Sequence, residues 1–151
     1  MEDYNKVVFV CETGTARAHM AAEIFRREYT GDDLEILARG LVVLFPEPLN
    51  EKAEAVMVSN GIDVTGLCAQ PLTIDDSTPG SLIIAMTAEQ KRKASELLDR
   101  NRDIYTLKEL TGEEGDVMDP YGGPLQGYGK CFEEIESLVK KLVNRINRRE
   151  L

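Results

Sequence analysis

Two short, nearly unbroken apolar runs, Lys6–Val10 (KVVFV) and Leu82–Met86 (LIIAM), limit the folds open to this chain more than any other feature of it. A strand with one wet face alternates polar and apolar residues, whereas a continuous apolar run belongs to a strand covered on both faces, as in a parallel sheet between helices. Leu34–Arg39 (LEILAR) and Asp103–Leu107 (DIYTL) are weaker candidates for two further strands. Helical patterns lie between them: Ala18–Tyr29, Asn50–Asn60 closed by Gly61, and Thr87–Asp99, where Thr87 and Gln90 have the spacing of a capping box. A last helix starting at about Leu125 or Gly129 carries Phe132, Ile135, Leu138, Val139, Leu142 and Ile146 in a core stripe at helical spacing. The basic stretch Asn144–Arg149 reads as its cation-rich last turn. This alternation predicts an α/β fold of three layers, a doubly wound parallel sheet with helices on both faces, whose ligand site lies off the carboxyl ends of the strands.

The length of 151 residues predicts one domain spanning 1–151 and large enough to bury a core. A net charge of -9 argues against a nucleic-acid surface, which needs clustered lysine and arginine. No stretch is apolar enough to cross a bilayer and MEDYNK lacks a signal-peptide core, so the expectation is a cytoplasmic protein without a membrane partner. Three cysteines at wide, irregular spacing point to neither a disulfide framework nor a zinc site, and free thiols are expected. The apolar segment Leu41–Phe45 is expected to be partly buried.

Cys11 directly follows the first strand, and Arg17 stands at the mouth of the first helix. A tight loop between them, Glu12, Thr13, Gly14, Thr15 and Ala16, would turn backbone N–H groups and a helix N-terminus toward an anion such as phosphate or sulfate. A thiol there loses its proton more easily, and an arginine supplies a planar fork for two phosphoryl oxygens. These residues suit displacement at phosphorus by Cys11, which also needs an acid to protonate the departing group. The turn GDVMDPYGGP offers Asp119, held extended before Pro120; Asp116 competes with it, and spacing alone does not choose.

C-x5-R after the first strand together with a late D-P-aromatic-G-G resembles the low-molecular-weight protein tyrosine phosphatase family, over essentially the whole chain. The stretches RGLVVLFPEPLNEKAEAVMVSNGIDV, IIAMTAEQK and YTLKELTGEEGDVMDPYGG are similar to its bacterial members, especially the protein-arginine phosphatase branch. The resemblance implies a four-stranded parallel sheet, Cys11 as nucleophile, Arg17 and the loop amides as phosphate clamp, Asp119 as general acid and Tyr121 as a pocket wall. It implies a phosphorylated protein as substrate and neither metal nor organic cofactor. At the position four after the nucleophile, tyrosine-directed members usually carry isoleucine and arginine-directed members threonine. Thr15 therefore favours phosphoarginine, since a hydroxyl meets a polar guanidinium but is left unpaired against an aromatic ring.

The loop departs from the family pattern CxGNxCRS in several places. Thr13 stands for glycine, Gly14 for asparagine, Ala16 for a second cysteine and Ala18 for serine. Ala38 replaces another serine, the family histidine near Gly66 or Leu67 is missing, and His19, the only histidine here, reads as an exposed first-turn residue. Loss of a whole polar network at once is coherent, because a partial network leaves buried groups unsatisfied. Either the pocket is rebuilt in a less polar way around a working Cys11, Arg17 and Asp119, or it is a phosphoresidue-binding module. The Cys11 pKa is expected to be lowered, though less than with a serine at position 18. Cys68 and Cys131 are read as packing residues, which leaves arsenate reduction, a reaction needing a cysteine relay, as the most distant alternative.

Overall fold

Val7, Val8, Phe9 and Val10 are fully buried, and their side chains alternate between two separate cores. They belong to β1 (Lys6–Cys11), an inner strand of a four-stranded parallel sheet with β2 (Glu35–Gly40), β3 (Ser81–Ala85) and β4 (Ile104–Thr106) in the order β2-β1-β3-β4. The computed structural model describes residues 4–98 and 103–151. Val7 and Phe9 face a core closed by α1 (Arg17–Glu28), α2 (Glu51–Ser59) and α5 (Leu125–Asn147), with the rings of Phe9 and Phe25 5.9 Å apart. Val8 and Val10 face the opposite core, closed by α3 (Ala88–Leu98) through Ala94 and Leu98. A single-turn helix α4 (Leu107–Leu110) follows β4. The expected three-layer, doubly wound α/β architecture is present: the chain leaves β1 toward β2 on one side and returns to β3 on the other. The carboxyl ends of β1 and β3 thus flank the switch-point crevice in which such sheets bind ligands.

The helices begin where local chemistry can satisfy their free N–H groups. Asn50 Oδ1 accepts from the Lys52 and Ala53 amides at 2.9 and 3.1 Å and starts α2. Thr87 Oγ1 accepts from Gln90 N at 3.1 Å, while Gln90 Oε1 reaches back one residue further than a capping box requires, to Met86 N. The helix α5 starts at Leu125 behind Pro124, the earlier of the two expected starts, and buries every member of the predicted apolar stripe.

Several boundaries shift by a residue or two. β1 includes Cys11, because the Leu41 amide donates to the Cys11 carbonyl at 3.0 Å and carries the ladder one residue further. α1 begins at Arg17 rather than Ala18. The expected end of α3 at Asp99 lies outside the described residues. The segment Leu41–Phe45 is partly buried, as expected: Leu41 and Val43 are half-buried, while Val42, Leu44 and Phe45 are exposed, Leu44 at 89%. The edge strand β2 ends at Gly40, so nothing in the sheet lies beyond it to cover them.

Ile84 is fully buried in the middle of β3, so Ile84→Ala is expected to lower stability by about 2–5 kcal/mol in urea denaturation, from lost transfer energy and the cavity left behind.

Candidate active site

Cys11 ends β1, and the next five residues curl back over the end of β2. The curl is possible because Gly14 takes φ +69 and Gly40, paired with Cys11 across the sheet, has no side chain. A Cβ on Gly40 would stand 2.6 Å from the Thr13 carbonyl carbon and 2.7 Å from Gly14 N, distances that backbone atoms cannot relieve. The strap after β2 completes the hold: Val42 N donates to the Glu12 carbonyl at 2.8 Å, and Asn50 N to the Thr15 carbonyl at 3.0 Å. Thr13, in a place where the family has glycine, keeps an ordinary negative φ, and its Oγ1 lies 2.8 Å from Thr15 Oγ1.

The curl aims the backbone amides of Gly14, Ala16 and Ala18 at the Cys11 sulfur. Cys11 is 2% exposed, and burial pushes its thiol up from the ordinary value; the Arg17 guanidinium and the three amides pull it back down. Burial prevails, contrary to the expected lowering. A sulfur this deeply buried has too little solvation to ionise as readily as an exposed thiol.

Arg17 is 4% exposed and fixed at the mouth of α1. Its Nη1 donates to the Val117 carbonyl at 2.8 Å, and Nη2 lies 3.6 Å from Asp119 Oδ2, so one guanidinium joins the early loop to the late one. Asp119 Oδ1 accepts from Tyr121 N at 3.0 Å in a local turn that orients the carboxylate, and Lys52 Nζ on α2 donates to the Gly123 carbonyl at 2.6 Å behind it. Asp116, the competing carboxylate, instead accepts from Ala88 N at 2.9 Å at the start of α3.

These parts enclose a cavity of about 350 Å³. Of the residues singled out from the sequence, Cys11, Thr13, Thr15, Ala16, Arg17, Asp119 and Tyr121 line it. Glu12 and Gly14 do not. The Glu12 carboxylate turns to Lys93 Nζ on α3 at 3.1 Å, and Gly14 offers its amide to the sulfur and its back to Gly40. Glu47, Pro48, Asn50 and Tyr128 also line the cavity and were not among the site residues singled out from the sequence. The available signal was the rule that loops at carboxyl ends of strands surround the site, which includes the segment after β2.

The underside of the loop is apolar. Ala18 and Ala38, standing where the family has serines, are both buried. His19 is not the exposed residue expected. It is 6% exposed, and its Nε2 lies 3.0 Å from the Cys68 carbonyl. Burial lowers its pKa, partly offset by the Cys68 carbonyl and reinforced by Arg26 and Arg39. Among the described residues no buried side-chain nitrogen or oxygen lacks a partner. Cys131 on α5 is buried beneath the Asp119 turn, 3.9 Å from the Met118 carbonyl, and burial pushes its thiol up to about 11. Among the described residues no group of side chains could hold a metal ion, and no helix is long and apolar enough to cross a membrane.

Over residues 6–151 the sequence matches the family model described as low molecular weight phosphotyrosine protein phosphatase. It is 31% identical over 147 residues to the protein-arginine-phosphatase of Bacillus subtilis (strain 168), covering 94% of this chain and 97% of that protein. Its structure is similar to that of the YwlE arginine phosphatase in a mutant form with a phosphorylated active-site serine, at TM-score 0.88, 27% identity and coverage of 95% and 96%. It is likewise similar to the low molecular weight protein tyrosine phosphatase from T. tengcongensis, at TM-score 0.85, 35% identity and coverage of 93% and 98%.

Two outcomes follow from the electrostatics. A hydroxyl at position 18 would donate toward the sulfur, so Ala18→Ser should move the midpoint of Cys11 alkylation by iodoacetamide to lower pH. His19 has a folded pKa below its ordinary value near 6.5, so its stabilising contribution is complete above that value and is lost as pH falls below it toward the folded value. His19→Gln should therefore lose less stability than the parent between pH 7 and pH 5 in urea titrations.

Proposed function

The chain belongs to the low molecular weight phosphotyrosine protein phosphatase family, and from that premise we propose that it hydrolyses phosphorylated protein side chains, phosphoarginine in preference to phosphotyrosine, through a phosphocysteine on Cys11. The observation that carries this reading is the meeting of the Cys11 sulfur, the converging loop amides, the Arg17 guanidinium and the Asp119 carboxyl in one cavity.

The chemistry runs in two displacements. When a phosphoryl dianion seats against the amides and Arg17, the sulfur's proton passes to a phosphoryl oxygen, and the positive field of the amides and Arg17 is matched by the anion. The sulfur attacks phosphorus; the bond from phosphorus to the departing nitrogen or oxygen breaks, and protonated Asp119 delivers its proton to that atom as it takes the electron pair. In the second displacement the Asp119 carboxylate removes a proton from water, the water oxygen attacks phosphorus, and the S–P bond breaks; phosphate leaves after the proton it took at the start returns to the Cys11 sulfur.

The preference for phosphoarginine is supported by Thr15, which lines the cavity with its hydroxyl already engaged by Thr13 at 2.8 Å. Two linked hydroxyls keep acceptor lone pairs for guanidinium N–H groups, whereas an aromatic ring would leave them dry. The named relative of Bacillus subtilis agrees with this preference, and the T. tengcongensis structure represents the other. The burial that raises the Cys11 pKa favours one second reading, a module that binds phosphoresidues with little turnover. Arsenate reduction is not supported by the thiols, because the buried Cys131 ionises only near 11.

Turnover of an aryl phosphate is expected, abolished in Cys11→Ser and lowered by about a hundredfold or more in Asp119→Asn. Tight phosphate binding without turnover in the parent protein would instead establish the binding module. With phosphoarginine and phosphotyrosine peptides, Thr15→Ile should shift the kcat/KM ratio by about tenfold toward tyrosine; an unmoved ratio rejects the hydroxyl argument.

A further inference from the structure

The phosphoryl-binding cavity carries two carboxylates, Glu47 and Asp119, against a single guanidinium, Arg17. A second negative charge opposes a phosphate dianion, so its presence calls for a use. Several of the other polar side chains around the cavity are occupied. Asp119 is paired with Arg17 and the Tyr121 amide, Asn50 caps α2, and Thr13 and Thr15 bond each other. Glu47 alone among the charged lining residues has no ion pair or side-chain hydrogen bond within the described residues.

Its position is also built rather than incidental. Glu47 lies between Pro46 and Pro48, its amide donates to the Phe45 carbonyl at 2.7 Å, and its own carbonyl accepts from Ala69 N at 2.7 Å. Pro48 pairs with Cys68 in an isolated antiparallel bridge. Backbone held this firmly fixes where Glu47 leaves the strap, and its exposed side chain reaches the cavity from there.

Resting on the reading of this cavity as a phosphatase site, we infer that Glu47 is a specificity-determining residue that accepts hydrogen bonds from a cationic group on the part of the substrate that departs from phosphorus. A phosphoarginine presents this chemistry: its guanidinium keeps a positive charge and N–H donors beside the phosphoryl oxygens. A phosphotyrosine has neither, and meets only the carboxylate's repulsion. Glu47 thereby separates the two substrates by charge, in addition to the shape and hydroxyl selection at Thr15.

The test compares two esters of like chemistry that differ by one charge, 4-(aminomethyl)phenyl phosphate and 4-methylphenyl phosphate, alongside a phosphoarginine peptide. The parent protein should favour the cationic ester in kcat/KM, and the preference should shrink as ionic strength rises. Glu47→Gln, which keeps the shape, should reduce that preference by about tenfold, through a loss on the cationic ester and a modest gain on the neutral one. Glu47→Asp should retain part of it. An unchanged preference in Glu47→Gln, or an equal loss on both esters, overturns the inference. If the phosphoarginine peptide is not hydrolysed while the charge preference exists and depends on Glu47, the arginine reading fails and the inference stands. If the peptide is hydrolysed and Glu47→Gln leaves the charge preference intact, the inference fails and the arginine reading stands.

Discussion

The loop that follows β1 rests directly on bare backbone. Gly14 and Gly40 face each other so closely that a side-chain carbon on either would press on main-chain atoms of the other, at 3.0 Å or less. Everything at the site depends on this contact. It lets the loop tighten until three amides point inward at one sulfur, and it sets the distance from which Arg17 reaches across to Val117. It also fixes the route of the strap beyond β2, whose residues Leu41 and Val42 bond the carbonyls of Cys11 and Glu12.

The family pattern beneath the loop has been replaced. Two serines have become Ala18 and Ala38, both buried, so the support beneath the loop is dispersion contact between methyl groups and neighbouring backbone. The one imidazole of the chain lies on the first turn of α1, where His19 meets the Cys68 carbonyl. The exchange leaves no unsatisfied buried side-chain polar atom among the described residues. A dry support of this kind costs the sulfur some of its solvation, which is why burial outweighs the positive groups around Cys11.

The layered architecture was legible in the sequence because periodicity reports burial directly: the Lys6–Val10 run, the stripe on α5 and the caps at Asn50 and Thr87 each carry a local signature. Cys11, Arg17 and Asp119 were legible from residue type placed at strand and helix ends, and the capping role of Asp116 was what coordinates alone could separate from that of Asp119. Glu47 and Tyr128 were not legible, since they reach the cavity by the path of a proline-bounded strap and by the rotation of a long helix, neither of which is local. His19 was misjudged for the same reason. First-turn residues are exposed or buried according to how the helix is turned against the sheet, and here the turn carries His19 inward. The partial burial expected of Leu41–Phe45 is found, because the edge strand leaves Leu44 and Phe45 uncovered.

The clasp between Arg17 and Val117 has a thermodynamic consequence for ligand capture. A free arginine side chain carries about 2 kcal/mol of rotamer entropy that must be surrendered when it grips an anion. Here the guanidinium is already buried and tied to a carbonyl 100 residues away, so that surrender happens once, as the polypeptide folds. Each arriving oxyanion therefore encounters a rigid receptor, and the disorder forfeited in each catalytic cycle is confined to the ligand.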